Sequence, residues 1–201
     1  MDFDISGKGN SGAWKKTDWI NLEQRDTSGY CYKTKVKSLY SDTGIYFLFD
    51  CEDSVITSTL NSDYADLYNE DVVEVFLWTS EEYPFYFEYE LSPHNFELPI
   101  MVPNVRGDFF GWKPWHYEGD RKTRHATSIN VEDGKIKGWK AEMFIPFALL
   151  KPLDHVPPDK GTEWRVNMYR IDYDKEPSDW TWQPVKTNFH DYEHFGTFKF
   201  N

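Results

Sequence analysis

Short runs of alternating apolar and polar residues dominate the chain, the pattern of half-buried β-strands. Tyr30 to Tyr40 and Ile45 to Glu52 flank Ser41-Asp42-Thr43-Gly44, which is good hairpin chemistry. Val72 to Trp78 and Phe85 to Leu91 follow, joined by Glu81-Glu82-Tyr83-Pro84. Ala126 to Glu132, the turn Asp133-Gly134-Lys135 and Ile136 to Ile145 predict a further hairpin. Late strands are expected over Glu163 to Tyr173 and Gly196 to Phe200. Helical turns are expected only near Ser54 to Asn61 and Pro146 to Leu150. The stretch from Ser92 to Arg124, punctuated by Gly and Pro, reads as a long surface excursion of the kind that carries function. The expected fold is all-β: an antiparallel two-sheet β-sandwich, built as one domain over residues 1–201.

Two strands alternate informatively. Phe85, Phe87, Tyr89 and Leu91 share one face, and Tyr86, Glu88 and Glu90 share the other. Val73, Val75 and Leu77 form a core side, opposite Glu74, Phe76 and Trp78. Lys140-Ala141-Glu142-Met143 repeats the scheme with Glu142. A face that mixes carboxylates with large aromatic rings is neither an ordinary solvated face nor a dry core, and it predicts the lining of a polar cleft.

Composition narrows the reading. Aromatic residues reach 18%, which a disordered chain would not carry. No apolar run approaches the ~18 residues of a membrane-spanning helix, so no membrane insertion is expected. The net charge of −12 leaves no basic footprint for nucleic acid and disfavours polyanionic partners, so a neutral or cationic ligand fits better. Cys31 and Cys51 are read as buried free thiols, because the hairpin register would set position 31 against about 54. No basic, apolar leader opens the chain, so Met1 is read as a cytoplasmic start or as the point left by a removed leader.

Several motifs were weighed. Gly7-Lys8-Gly9-Asn10-Ser11-Gly12 matches G-x-G-x-x-G, but no buried strand precedes it, so it is read as a glycine-rich loop and not a nucleotide site. His190-Asp191-Tyr192-Glu193-His194 matches the H-x-x-E-H zinc pattern without a downstream third ligand. Glu74, Glu88, Glu90 and Glu142 could form an acid/base pair for glycoside hydrolysis, or hold neutral ligands by hydrogen bonds. Trp112, Trp115, Trp180 and Trp182 lie in turn-rich context, where an aromatic ring either packs or binds. Asp50, Glu52 and Asp53 end one strand and Asp172, Asp174 and Glu176 another; no cofactor is required, but either group is a candidate for structural calcium.

Six segments in order resemble family-9 carbohydrate-binding modules. They are Tyr46 to Asp53, Tyr68 to Leu77, Tyr86 to Pro93, Trp139 to Phe147, Trp164 to Arg170, and Phe189-His190 with Phe195-Gly196-Thr197. The resemblance runs from about Ile5 to Phe200. It implies a jelly-roll-like sandwich related to DOMON sugar- and heme-binding domains, with a ligand held between two aromatic rings at one end. The first ring falls on Tyr68, where better-known modules carry Trp, and the second on Trp180 or Trp182. Polar partners fall on Asp71, Glu74 and the Glu88/Glu90 strand. Apart from the resemblance, Trp112 in its turn-rich context is a further candidate ring, and Arg170, following the Trp164 strand, is a candidate donor to a sugar oxygen. Known sugar binders place basic or amide groups there, whereas Glu88 and Glu90 are acidic. The implied function is non-catalytic binding of a sugar or oligosaccharide end, attached to or beside a polysaccharide-degrading system and exported from the cell. The alternatives are a glycan-active enzyme with an acidic cleft, and a heme or small-molecule binder using His94, Met101 or His116.

Overall fold

In the computed structural model, which describes residues 2–25, 31–106, 108–115 and 117–201, the first hairpin forms as expected. β1 (Ile20–Gln24) is followed by β2 (Thr34–Tyr40) and β3 (Gly44–Glu52), and Thr34 of β2 stands opposite Cys51 of β3. That register carries Cys31 past the reach of Cys51. Both thiols are free, but Cys31 is exposed and not buried, because it precedes the strand that would have covered it. Tyr30 and His116 lie outside the described residues.

The remaining strands are β4 (Val72–Trp78), β5 (Phe85–Leu91), β6 (Glu97–Val105), β7 (Asp108–Phe109), β8 (Lys113–Pro114), β9 (Arg124–Glu132), β10 (Lys135–Pro146), β11 (Glu163–Asp172), β12 (Ser178–Thr181) and β13 (Gly196–Lys199). One antiparallel sheet runs β9-β10-β3-β2-β1, and the other β12-β11-β4-β5-β6. β1 pairs with both β2 and β12, so it joins the two sheets along one edge. β13 adds to β11, while β7 and β8 pair with the outer edge of β6. The α-helix among the described residues is one turn, Phe147–Leu150, at the expected place. The turn expected over residues 54–61 is instead extended chain, held by Thr57 N–H donating to Asp71 and by Thr59 and Leu60 N–H donating to Glu70.

The core lies between the sheets. Phe47, Phe49, Ala141 and Met143 meet Val73, Val75, Leu77, Phe87 and Met168 there, all fully buried. Two smaller apolar layers cover the outer faces. Phe3, Ile5 and Trp14 lie over Tyr46, Leu48 and Phe144. Leu67, Phe189, Tyr192 and Phe195 lie over Phe76, Tyr86, Ile100 and Tyr169.

The segment read as a surface excursion contains the buried strand β6. Pro99 and Pro103 conceal it in the sequence, since proline argues against a paired strand. Their carbonyls accept from Trp115 N–H and Phe110 N–H on the outer edge. The missing proline N–H groups therefore face away from β5, where the ladder does not need them.

The glycine-rich loop also has a structural task. Ser6 and Gly7 N–H each donate to Glu142 Oε2 at 2.8 Å, and the Trp14 indole donates to Oε1 at 2.8 Å. Gly7 has φ +74°, and a Cβ there would come within 2.8 Å of the backbone at Ala126 and Thr127. Successive N–H groups in such a turn form an anion cradle, and here the anion is the chain's own carboxylate. Glu142 thus belongs to the opposite sheet, sealed under the N-terminal segment, and not to the face that holds Glu74.

Candidate functional site

β4 and β5 carry their carboxylates outward from the second sheet, away from the core. The register sets Glu74 opposite Glu90 and Phe76 opposite Glu88. The same rows continue to Tyr169 and Asn167 on β11, and to Leu98 and Ile100 on β6. The face predicted from alternation exists, but loops roof it. Between roof and sheet lies a cavity of about 610 Å³, within the usual range of roughly 300–1,000 Å³ for ligand pockets.

Its floor is acidic. Glu74, Glu88 and Glu90 are 2%, 4% and 0% exposed. Burial pushes Glu88 up to about 8. Glu74 and Glu90 are raised well above the usual carboxylate range, first by burial, then for Glu74 by Glu88 and Asp179 and for Glu90 by Glu74 and Glu88. Glu88 Oε2 and both oxygens of Glu90 are buried without a well-formed hydrogen bond.

Its walls are aromatic. Tyr68 sits on the turn Leu67–Asn69, fixed by Tyr173, whose hydroxyl donates to the Tyr68 carbonyl at 3.0 Å. The Trp112 side chain lies beside the Tyr68 hydroxyl. Across the cavity, Phe109 stacks on His190 at 4.3 Å, and Phe189 stacks on Tyr169 at 4.0 Å. His190 Nδ1 lies 2.6 Å from the Tyr86 hydroxyl, and burial lowers its pKa to about 4, so the ring is neutral near pH 7. At the rim, Arg25 donates to Asp179 at 3.2 Å and to the Thr187 carbonyl at 3.0 Å. Asn188 completes the mouth.

Of the residues singled out in the sequence, Tyr68, Glu74, Glu88, Glu90 and Trp112 meet in this cavity. Asp71, Arg170, Trp180 and Trp182 lie elsewhere. Arg170 stands opposite Val73, and cross-strand partners share a face, so it points into the core. There it bonds Asp53 at 3.0 Å, Asp172 at 2.5 Å and Thr34 at 3.1 Å, and lies over the Trp180 ring at 4.8 Å. Trp180 is inward-facing on β12, with its indole donating to the Tyr32 carbonyl; its neighbour Asp179 takes the outward position. Trp182 packs edge-on against Phe198. Asp71 accepts from Thr57 and Tyr173 N–H and ties two loops together. The second aromatic wall of this cavity comes from Phe109 and Phe189, and the cavity lies on the outer face of the second sheet.

Asp53, Asp172 and Asp174 bring ligand atoms within 4.8 Å of one another and are the group among the described residues that could hold a cation. Arg170 already bonds two of them, and the Tyr32 hydroxyl donates to Asp174 at 2.7 Å. Of the residues considered for heme, His94 contacts the Ser58 carbonyl, and Met101 packs against the inter-sheet core. His194 pairs with Asp191 at 2.9 Å on a turn of 3-10 helix, not on the α-helix that the zinc pattern needs.

A sequence profile described as "Carbohydrate family 9 binding domain-like" matches residues 5–201. The chain belongs to this family. Its fold agrees with solved structures. A protein of Bacteroides uniformis ATCC 8492 to which carbohydrate binding is provisionally ascribed superposes with a TM-score of 0.76 at 15% identity, covering 93% of this chain and 88% of that one. A family 9 carbohydrate-binding module from Caldicellulosiruptor kristjanssonii, solved with cellotriose, superposes at 0.69 with 16% identity, covering 100% and 90%. Its glucose complex gives the same TM-score and identity, covering 100% and 92%. A search of curated proteins finds no significant match to this chain. Phe109, Arg25 and Asn188 escaped the sequence reading, and Phe189 entered it only as part of a family-like segment and not as a site residue.

Proposed function

We propose that this family member binds a saccharide in the outer-face cavity without transforming it. The single observation that carries the reading is the cavity itself: buried carboxylates form its floor and aromatic rings from three separate segments form its walls. Ring faces stack on the apolar C–H faces of a pyranose, and carboxyl oxygens take its hydroxyls. The likeness to modules solved with cellotriose and glucose supports a short oligosaccharide or its end as ligand. Such a binder works attached to, or beside, a polysaccharide-degrading activity.

Calorimetric titration against gluco-, xylo-, manno- and amino-oligosaccharides tests the reading. Saturable binding of at least one of them, weakened by Tyr68→Ala or Trp112→Ala, is expected. Release of reducing sugar by the protein, lost in Glu74→Gln, would contradict a purely binding role.

A further inference from the structure

Resting on that saccharide reading, we propose that the sugar held here carries a protonated amine, as in a terminal glucosamine residue, seated over Glu74, Glu88 and Glu90.

Glu74 and Glu90 are direct cross-strand partners, and Glu88 lies two residues along the same face of β5. Opposite positions on paired strands hold their Cβ atoms about 4.5–5.5 Å apart, where like charges repel. All three groups are buried, and three of their oxygens lack a well-formed hydrogen bond. Glu90 lies near the Tyr68 N–H and the Glu88 carboxyl, which tune its proton affinity without satisfying it. Buried carboxylates are stable when they are paired or neutralised.

Among the described residues, no cation is paired with them. Arg25 reaches the cavity but is engaged by Asp179 and the Thr187 carbonyl. His190 Nδ1 is 3.9 Å from Glu88 Oε2, with Tyr86 nearer and the ring neutral. The neighbouring rows offer Leu98, Ile100, Asn167 and Tyr169, none of them cationic. Their raised proton affinities let protons neutralise the trio near pH 7, and an arriving ammonium would displace those protons.

Two observations favour an ammonium over a small metal ion. The three glutamates do not gather ligand atoms within 4.8 Å, as Asp53, Asp172 and Asp174 do. A metal needs such convergence of three or more ligands, whereas an ammonium is held by charge-assisted hydrogen bonds to one or two of these carboxylates, its remaining N–H groups meeting other acceptors or the ring faces. The aromatic walls also suit a cation, which ring faces attract. The cavity of about 610 Å³ is far larger than an ammonium group alone, which leaves room for the sugar that bears it.

The test is a titration of the full chain near neutral pH with three matched trisaccharides: β-1,4-linked glucosamine, cellotriose and the N-acetylated glucosamine trimer. The glucosamine trimer should bind ~10-fold or more tightly than cellotriose, the margin of one charge-assisted pairing. N-acetylation, which removes the charge, should abolish that advantage. Glu90→Gln should cost the glucosamine trimer ~10-fold and so close its margin over cellotriose. The selectivity of the parent protein decides the matter even if a variant misfolds. Cellotriose binding as well as the glucosamine trimer would overturn the amine inference and leave the saccharide site standing. No binding of any of the three, with none in the wider oligosaccharide set, would overturn both.

Discussion

Glu74 and Glu90 face each other across adjacent strands β4 and β5, both buried, with Glu88 one step along the same face. Most sandwiches would place apolar or oppositely charged pairs there. This arrangement makes the folded state hold protons that the unfolded chain releases. The folded pKa values lie above the ordinary carboxyl value of 4.5, reaching about 8 for Glu88. The stability linked to these groups is therefore complete below about pH 4.5 and lost as pH rises towards about 8. Asp2 and Glu70 run the other way, lowered by hydrogen bonds, and their contribution is lost on acidification.

The thermal midpoint should accordingly fall on the alkaline side. Glu88→Gln, which needs no proton to be neutral, should exceed the parent by ~2 °C or more near pH 9 and lose that advantage near pH 5. A variant that tracks the parent across the range would contradict the protonated floor.

Arg170 is predicted to hold the fold and not the ligand. Its guanidinium joins β11 to Asp53, Thr34 and the Glu52 carbonyl on the other sheet. Arg170→Met should cost about 3–5 kcal/mol in urea unfolding, the usual effect of stripping one partner from a buried ion pair. Saccharide affinity measured where the variant is still folded should be unchanged.

The glycine cradle makes a similar claim for the first sheet. Glu142→Ala removes the acceptor of two backbone N–H groups and the Trp14 indole. A loss of at least about 2 kcal/mol is expected, since bonds to a charged acceptor are worth roughly 1.5–3 kcal/mol each. Trp14 should become solvent-exposed, read as a red shift in fluorescence.

The strands with clean alternation were legible in the sequence, and with them Glu74, Glu88 and Glu90 on one face. Tyr68 was legible through the family resemblance. What could not be read was register between distant strands. β12 is four residues long and holds Trp180 inward and Asp179 outward, a choice set by its seat between β11 and β1. The same topology turns Arg170 to the core. Phe109 reaches the cavity from β7, paired to the edge of β6, and Phe189 from the loop segment that packs over Phe76. No local pattern encodes those placements.

The central claim is the position of the site on the outer face of the second sheet. It is tested most directly by titrating one saccharide that binds the parent into Trp112→Ala and Trp182→Ala in parallel. Trp112 lines the cavity, whereas Trp182 packs against Phe198 outside it. The account predicts a loss of about 5- to 150-fold for Trp112→Ala, the equivalent of ~1–3 kcal/mol for one stacking ring, and a change of less than about twofold for Trp182→Ala. Full affinity in Trp112→Ala with loss in a folded Trp182→Ala would contradict it.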